Sequence, residues 1–343
     1  MKQNACWLLL VSVVALCTGL ERRAAFGQEQ IYKGKTIRLI VGLAPGGGFD
    51  TYSRAIARHM GRHIPGNPAI IVDNMPGAAS LVSANYLYKV AKPDGLTFGN
   101  FVGGIAMHEL FGKPGIEFQA TKFEYLGVPA QDNFMLGVAK STGITSVEQW
   151  IASGTTLKFG GVSPGGGTDD LPKVVKAVLG LPLQLVTGYK GTGPIRLAFN
   201  SSEVQGVSNS IESFKATWTN EMAKGDIVII LQETVKPHPE VPNVPLAINL
   251  AKTEEGKRLI RAQATINGVT NRVYALPPGT PKPLVQTLRK AFAVTLKDPE
   301  FLADAKKARL DIDPIDGESI ANEMKGLFNL DRSMVEKLKE ILK

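Results

Sequence analysis

A strand-like run followed by the letters PGGG and an aspartate occurs twice in the chain. "GLAPGGGFD" spans residues 42–50 and "GVSPGGGTD" spans residues 161–169. The first loop follows the apolar run "TIRLIVGL" (36–43) and leads into "DTYSRAIARHMGRHI" (50–64), whose apolar residues have helical spacing. The second loop lies between similar flanks. Two strand–loop–helix units in matching contexts predict two similar α/β lobes.

Strands and helices alternate on both sides of these loops. "AIIVDN" (69–74) reads as a strand, "SLVSANYLYKVA" (80–91) as a helix and "GLTFGNF" (95–101) as the next strand. This alternation is typical of an α/β fold. We predict an α/β fold of two lobes, in which each lobe is a mainly parallel sheet flanked by helices and a ligand cleft lies between the lobes. Residues 28–130 plus 250–343 are assigned to lobe 1 and residues 131–249 to lobe 2. One continuous sheet is the alternative.

The first 27 residues have the layout of a secretory signal peptide. A basic start at Lys2 precedes the apolar stretch "CWLLLVSVVALCTGL" (6–20) and the small residues "AAFG" (24–27). We therefore expect residues 1–27 to be removed and the protein to be periplasmic, with an uncleaved anchor or a lipid-modified Cys17 as alternatives. The two cysteines, Cys6 and Cys17, both lie in this segment. The exported part is expected to fold without disulfides.

Charge and composition limit the classes of partner. Of the 343 residues, 44% are hydrophobic and 20% charged, proportions that are typical of a globular protein. The formal net charge is +8, with the basic residues spread along the chain rather than clustered. This distribution does not favour nucleic acid, and a mild positive field attracts small anions.

Both glycine loops have the composition of a backbone anion site. Glycine allows positive φ, so that loop amides turn towards a ligand, and the following helix adds its unpaired N–H groups. Asp50 and Asp169 are predicted to cap the helices by accepting first-turn amides. Neither loop has the lysine of a nucleotide P-loop or the G-x-G-x-x-G spacing of a dinucleotide site. The pattern favours a small carboxylate and predicts no cofactor.

Two other patterns suggest an enzyme or a metal site. "GVSPG" (161–165) matches the G-x-S-x-G of hydrolases, but Pro164 follows Ser163 and has no N–H for an oxyanion hole. His59 and His63 lie four residues apart, as a metal pair would, but arginines flank them and a helix C-terminus also favours histidine. We therefore predict a non-enzymatic protein with neither catalytic nor metal-ligating residues.

The chain resembles the periplasmic solute-binding proteins of tripartite tricarboxylate transporters, the receptors of the Bordetella uptake-gene type. The resemblance covers nearly all of the chain after residue 30 and rests on the motifs "IRLIVGLAPGGGFDTYSRAIARHM", "VDNMPGAASLVSANYLYKVAKPDGLTFG", "GYKGTGPIRLAF", "VPNVPLA" and "ALPPGTPKPLVQTLRKAF". It implies the two-lobed fold of periplasmic binding proteins with a hinge between the lobes, a small carboxylate held by the two strand–helix loops, and delivery to a two-component membrane permease. It also implies a monomer. A receptor that presents its bound form to a membrane sensor kinase is the alternative.

The resemblance also implies a set of ligand-binding residues. The first loop contributes Pro45, Gly46, Gly47, Gly48, Phe49 and Asp50, and the second contributes Ser163, Gly165, Gly166, Gly167, Thr168 and Asp169. Asn74 is expected to line the cleft, and the residues expected to contact the other end of the ligand are Tyr189, Ser208, Asn209 and Asp170.

The chain departs from the family pattern at both loops. Leu43 and Ala44 stand where relatives often have a proline and an aromatic residue, and Asp169 and Asp170 stand where they often have serine and histidine. Two extra acids would repel a second ligand carboxylate or attract an ammonium group. The ligand class therefore stays open among di- and tricarboxylates, amino acids and monocarboxylates with a neutral tail.

Overall fold

A computed structural model describes residues 31–343, so the predicted signal peptide lies outside the described residues. The strands form one six-stranded sheet in the order β11-β4-β10-β3-β1-β2 and one five-stranded sheet in the order β7-β6-β8-β5-β9. Their bounds are β1 (Thr36–Val41), β2 (Ala69–Asn74), β3 (Thr97–Val102), β4 (Glu124–Val128), β5 (Phe134–Ala139), β6 (Leu157–Gly160), β7 (Leu183–Val186), β8 (Gly206–Ser210), β9 (Ile227–Gln232), β10 (Arg272–Leu276) and β11 (Ile315–Asp316). The alternative of one continuous sheet is wrong.

Helices flank both sheets. The described helices are α1 (Gly48–Met60), α2 (Leu81–Lys89), α3 (Ala106–Leu110), α4 (Val147–Ser153), α5 (Gly167–Leu179), α6 (Thr192–Asn200), α7 (Ile211–Thr217), α8 (Thr219–Lys224), α9 (Ala247–Leu250), α10 (Glu254–Thr270), α11 (Lys282–Thr295), α12 (Pro299–Lys307), α13 (Gly317–Leu327) and α14 (Arg332–Ile341). Helix α1 shows how they pack: Tyr52, Ile56 and Met60 are each one turn apart, and all three are buried.

The sheets are mixed rather than mainly parallel, which corrects the prediction. In the first sheet β1 pairs in parallel with β2 and β3, whereas β10 is antiparallel to β3 and β4, and β11 to β4. In the second sheet β6 pairs in parallel with β7 and β8, whereas β5 is antiparallel to β8 and β9. Strands β5 and β10 are antiparallel to their neighbours. Each of them follows a segment in which the chain crosses from one sheet to the other. The sequence pattern shows the alternation of strands and helices but not this crossing.

The chain passes between the sheets along two routes. Residues 129–133 connect β4 to β5, and α9 with α10 connect β9 to β10. We use "first lobe" for the six-stranded sheet with its helices and "second lobe" for the five-stranded one. Because α10 packs against α5 of the second lobe, the strands alone do not fix where one lobe ends, and the predicted residue boundaries stay a prediction. Within residues 31–343, no helix has both the length and the apolar character needed to cross a membrane.

Candidate functional site

Each glycine loop runs from the end of a strand to the N-terminus of a long helix. The first connects β1 to α1 and the second connects β6 to α5, so one lies in each lobe. Gly46 has φ +83° and Gly165 has φ +91°, left-handed conformations that explain glycine at these two positions. Both helices begin without a side-chain cap, at Gly47 and Gly166. The amides at both helix starts are therefore left for a ligand or for water.

The two helix starts meet at one cavity between the lobes. About 30 Å³ of space is enclosed, room for one or two water molecules. The cavity is lined by residues of both lobes. Those next to the first sheet are Leu43, Phe49, Ala79, Val102 and Asn271. Those of the second lobe are Phe134, Val162, Gly166, Gly167, Thr168, Thr192, Asn209 and Ser213. A larger pocket of about 570 Å³ beside Asn200 and Lys224 is open to solvent and receives neither loop.

Carboxylates of the protein itself already accept hydrogen bonds from some of the loop amides. Asp50 Oδ2 accepts from the Gly46 N–H at 3.1 Å, Asp169 Oδ2 from Ser163 at 2.9 Å, and Asp170 Oδ1 from Gly165 at 3.0 Å. The prediction that Asp50 and Asp169 cap their helices is therefore wrong.

The two aspartates do not cap the helices because of their positions within them. Asp50 and Asp169 are the third residues of α1 and α5, so their carboxylates reach back to the loop rather than forward to the first turn. The amides of Gly48 and Phe49 at the start of α1, and of Gly167 and Thr168 at the start of α5, precede the first hydrogen bonds within each helix. These four amides, rather than the whole loop, are the candidates for contact with an anion.

Asn74 braces the first loop from outside the cavity wall. Its Nδ2 donates to the Leu43 carbonyl at 2.9 Å and to Asp50 Oδ1 at 3.1 Å. Arg54 Nε also contacts the Asp50 carboxylate at 3.0 Å, which balances its charge. Pro45 is exposed at the outer turn of this loop.

Asp169 and Asp170 lie beneath the second loop and are buried. Burial raises the pKa of Asp170 to about 7, against the opposing effect of the Gly165 N–H. Burial also raises the pKa of Asp169. Neither side chain is on the cavity wall. Asp170 instead faces α10, where Gln263 Nε2 lies 3.4 Å from its Oδ2.

Three residues expected at the far end of the ligand have different placements. Tyr189 donates its hydroxyl hydrogen to Glu203, and Ser208 donates to the buried Glu233, so neither reaches the cavity. Asn209 lines the cavity; it is 2% exposed, and its Nδ2 has no hydrogen-bond partner among the described residues. Asn209 is therefore a buried donor without an acceptor, beside the two helix starts.

The histidine pair has partners of another kind. His59 Nε2 lies 3.0 Å from Asp304, and His63 Nε2 lies 2.7 Å from Asp298, both acids belonging to the α12 region. Among residues 31–343, no group of three or more His, Cys, Asp or Glu side chains is arranged to hold a metal ion.

Comparison with known proteins places this geometry in a fold. No protein-family model matches the chain. It is 25% identical over 277 residues to the UPF0065 protein in the TAR-I ttuE-ttuC' intergenic region of Agrobacterium vitis. The aligned segment covers 79% of this chain and 74% of that protein.

Among solved structures, periplasmic binding protein BugD superposes with a TM-score of 0.73 at 18% identity, covering 90% of this chain and 98% of BugD. MatC of Rhodopseudomonas palustris with bound malate gives 0.68 at 18% identity, covering 90% and 99%. Rpa4515 of R. palustris with adipate gives 0.69 at 21% identity, covering 90% and 97%. The chain has the two-lobed fold of the periplasmic binding proteins. The resemblance seen in its motifs is confirmed by these structures at the level of the fold.

In this periplasmic-binding-protein fold, the lobes touch beside the cavity. The Ala44 N–H donates to the Lys190 carbonyl at 2.7 Å, and Lys215 Nζ lies 2.9 Å from Asp311. Gly104, in the turn after β3, lies directly against the Gly165 carbonyl of the second loop.

A buried ion pair beside α1 was not found from the sequence. Arg272 on β10 is 1% exposed; its Nε donates to Asp132 at 2.9 Å, and its Nη2 donates to Ser210 and Ser213 at 2.8 Å. Its Nη1 has no hydrogen-bond partner among the described residues and lies against Gly48. Asp132 and Arg272 are 140 residues apart, so no local pattern indicates that they meet.

Proposed function

We propose that the protein is a periplasmic solute-binding receptor that captures a small organic carboxylate in the cavity between its lobes. One observation carries the proposal: the N-termini of α1 and α5, one from each lobe, open on the same cavity as the unpartnered donor Asn209 Nδ2. Helix N-termini favour negative charge, and a buried donor without an acceptor costs free energy until a ligand supplies one.

The fold neighbours support this ligand class. Two of them, MatC with bound malate and Rpa4515 with adipate, are structures with carboxylates. A carboxylate needs few donors, and hydrogen bonds to a charged group contribute about 1.5–3 kcal/mol each. Three or four such bonds sum to about 4.5–12 kcal/mol before ordering costs, a range that contains the roughly 8 kcal/mol of micromolar binding.

The mode of action that we propose follows from the position of the site. The cavity of about 30 Å³ is smaller than an organic carboxylate, so in this proposal the lobes separate to admit the ligand. Because the cavity wall is shared, a bound ligand then contacts both lobes and favours their closure around it. We propose lobe boundaries at residues 28–130 plus 250–343 and 131–249, export by the segment 1–27, a monomeric state, and recognition of the closed form by a two-component permease. No chemical step is part of this role.

The experiment compares Asn209→Leu with a matched control, Asn220→Leu, whose side chain is exposed. A thermal-shift screen against carboxylates first identifies a ligand, which at 100 times its dissociation constant stabilises by about 2.7 kcal/mol. Calorimetry then measures affinity. Loss of one hydrogen bond to a charged group weakens binding by about 10- to 150-fold in Asn209→Leu. The control binds as wild type. Wild-type affinity in Asn209→Leu, or no response to any carboxylate, would refute the proposal.

A further inference from the structure

The cavity wall contains no ionisable side chain. None of its described lining residues is Asp, Glu, His, Lys or Arg. The acids of the two loops, Asp50, Asp169 and Asp170, accept hydrogen bonds from loop amides, and Asp132 is paired with Arg272. The wall therefore offers a ligand no fixed counter-charge of either sign.

The positive partial charge at the cavity is about enough to balance one carboxylate. Each helix N-terminus is equivalent to roughly half an elementary charge, so α1 and α5 together supply about one. Arg272 adds no second unit of positive charge, because the Asp132 carboxylate binds its Nε and Nη2 and balances it in a buried pair. The Nη1 of Arg272, which has no hydrogen-bond partner among the described residues, lies against Gly48, and the side chain is not part of the cavity wall. One carboxylate is matched, and a second is not.

The rest of the wall is mainly apolar. Leu43 and Val102 face it from the first lobe, Val162 from the second, and the rings of Phe49 and Phe134 lie at the two helix starts. A hydrocarbon or aromatic body buried here gains about 25 cal/mol per Å² of apolar area removed from water. An ionised group in the same place loses its hydration without a partner.

We propose that the ligand is a monocarboxylate with an uncharged, mainly apolar body, and that dicarboxylates, tricarboxylates and zwitterionic amino acids are rejected. This inference rests on the proposed function of the same cavity and specifies its ligand class. It separates this chain from two of its fold neighbours, MatC with bound malate and Rpa4515 with adipate. An amino acid is rejected for the reason that applies to a second carboxylate: its ammonium group meets no acid on the wall.

The test uses pairs of compounds that differ by one charged group, measured by calorimetry on the purified protein. The pairs are hexanoate with adipate, benzoate with terephthalate, and 3-phenylpropanoate with phenylalanine. In the pair whose monocarboxylate binds most tightly, we expect the partner with the additional charge to bind at least about 100-fold more weakly, equivalent to about 2.8 kcal/mol. Equal or tighter binding of that partner overturns the inference and leaves the carboxylate receptor intact.

Failure of the proposed function gives a different result. Hexanamide keeps the body of hexanoate and removes its charge, and 3-phenylpropanamide does the same for 3-phenylpropanoate. If an amide binds as tightly as its acid, or if no acid binds at all, the carboxylate receptor itself is refuted, and the ligand class with it.

A substitution on the wall gives an independent measurement. Val162→Lys places a cation beside the start of α5, and Val162→Met is the uncharged control of similar length. The ratio of terephthalate to benzoate affinity, or of adipate to hexanoate affinity, is expected to rise at least about tenfold in Val162→Lys only, about 1.4 kcal/mol. If Val162→Lys does not fold, the compound pairs on the wild-type protein decide. An unchanged ratio in a folded Val162→Lys that still binds the monocarboxylate contradicts the inference.

Discussion

Gly104→Ala tests whether ligand binding requires the lobes to close. A Cβ on Gly104 would lie 2.6 Å from the Gly165 carbonyl oxygen, a backbone atom of the other lobe. Ordinary contact begins at 3.4 Å, so the lobes must separate by about 0.8 Å at this point. The φ of Gly104 is not positive, so alanine adds no backbone strain. The three atoms nearest the added methyl group belong to Gly165 and Asn267, neither of which is on the cavity wall.

The added methyl group is expected to destabilise the arrangement in which the lobes are closed. Overpacking of a well-packed contact typically costs 1–3 kcal/mol, or about 5- to 150-fold in affinity when only the closed form binds ligand. Calorimetry measures the affinity, and small-angle scattering measures the radius of gyration with and without ligand. We expect weaker binding and a larger radius in Gly104→Ala, with little change in the melting temperature of the unliganded protein.

Gly326→Ala is the matched control for this substitution. Gly326 lies in α13, and a Cβ there meets no atom within 4 Å. It is expected to bind as wild type. Wild-type affinity together with an unchanged radius in Gly104→Ala would show that this contact does not limit closure, and the argument for a closed binding form would fail.

Two further predictions concern buried charges. Arg272→Met leaves the Asp132 carboxylate buried without its cation, so we expect the free energy of unfolding, measured by urea denaturation, to fall by about 3–5 kcal/mol. A decrease below about 1 kcal/mol would contradict this prediction. Burial raises the pKa of Glu233 to about 8, so the folded state keeps a proton that the unfolded state loses near about 4. Wild-type stability therefore falls as pH rises between these values, and the melting temperature of Glu233→Gln should rise relative to wild type over the same interval. Parallel curves would disprove the proton assignment.

The local elements near the loops were predictable from the sequence. The strand predicted at 69–74 coincides with β2, and the run 36–43 contains β1. The helix predicted at 50–64 begins two residues earlier, at Gly48, because glycine rather than aspartate precedes its first turn. Apolar periodicity fixes such elements, whereas cap geometry depends on where a short carboxylate side chain finds its amide.

The far side of the site was not predictable. Tyr189 and Ser208 have the polarity of ligand contacts, but Glu203 and Glu233 accept their hydroxyl hydrogens instead. Nothing in the neighbouring sequence distinguishes these two from Asn209, which does line the cavity. The difference depends on pairings between distant strands, and periodicity carries no information about them.

The aspartates behind the two loops explain how a site for an anion tolerates acids beside it. By accepting loop amides, Asp50 and Asp170 fix the turns that direct the helix starts at the cavity, so the binding amides are ordered before a ligand arrives. The electrostatic cost is limited in two different ways. Arg54 pairs with Asp50, whereas burial raises the pKa of Asp170 to about 7, so that much of its population is uncharged near neutral pH. The acids that the sequence suggested would contact the ligand instead hold the two loops for which we propose ligand binding.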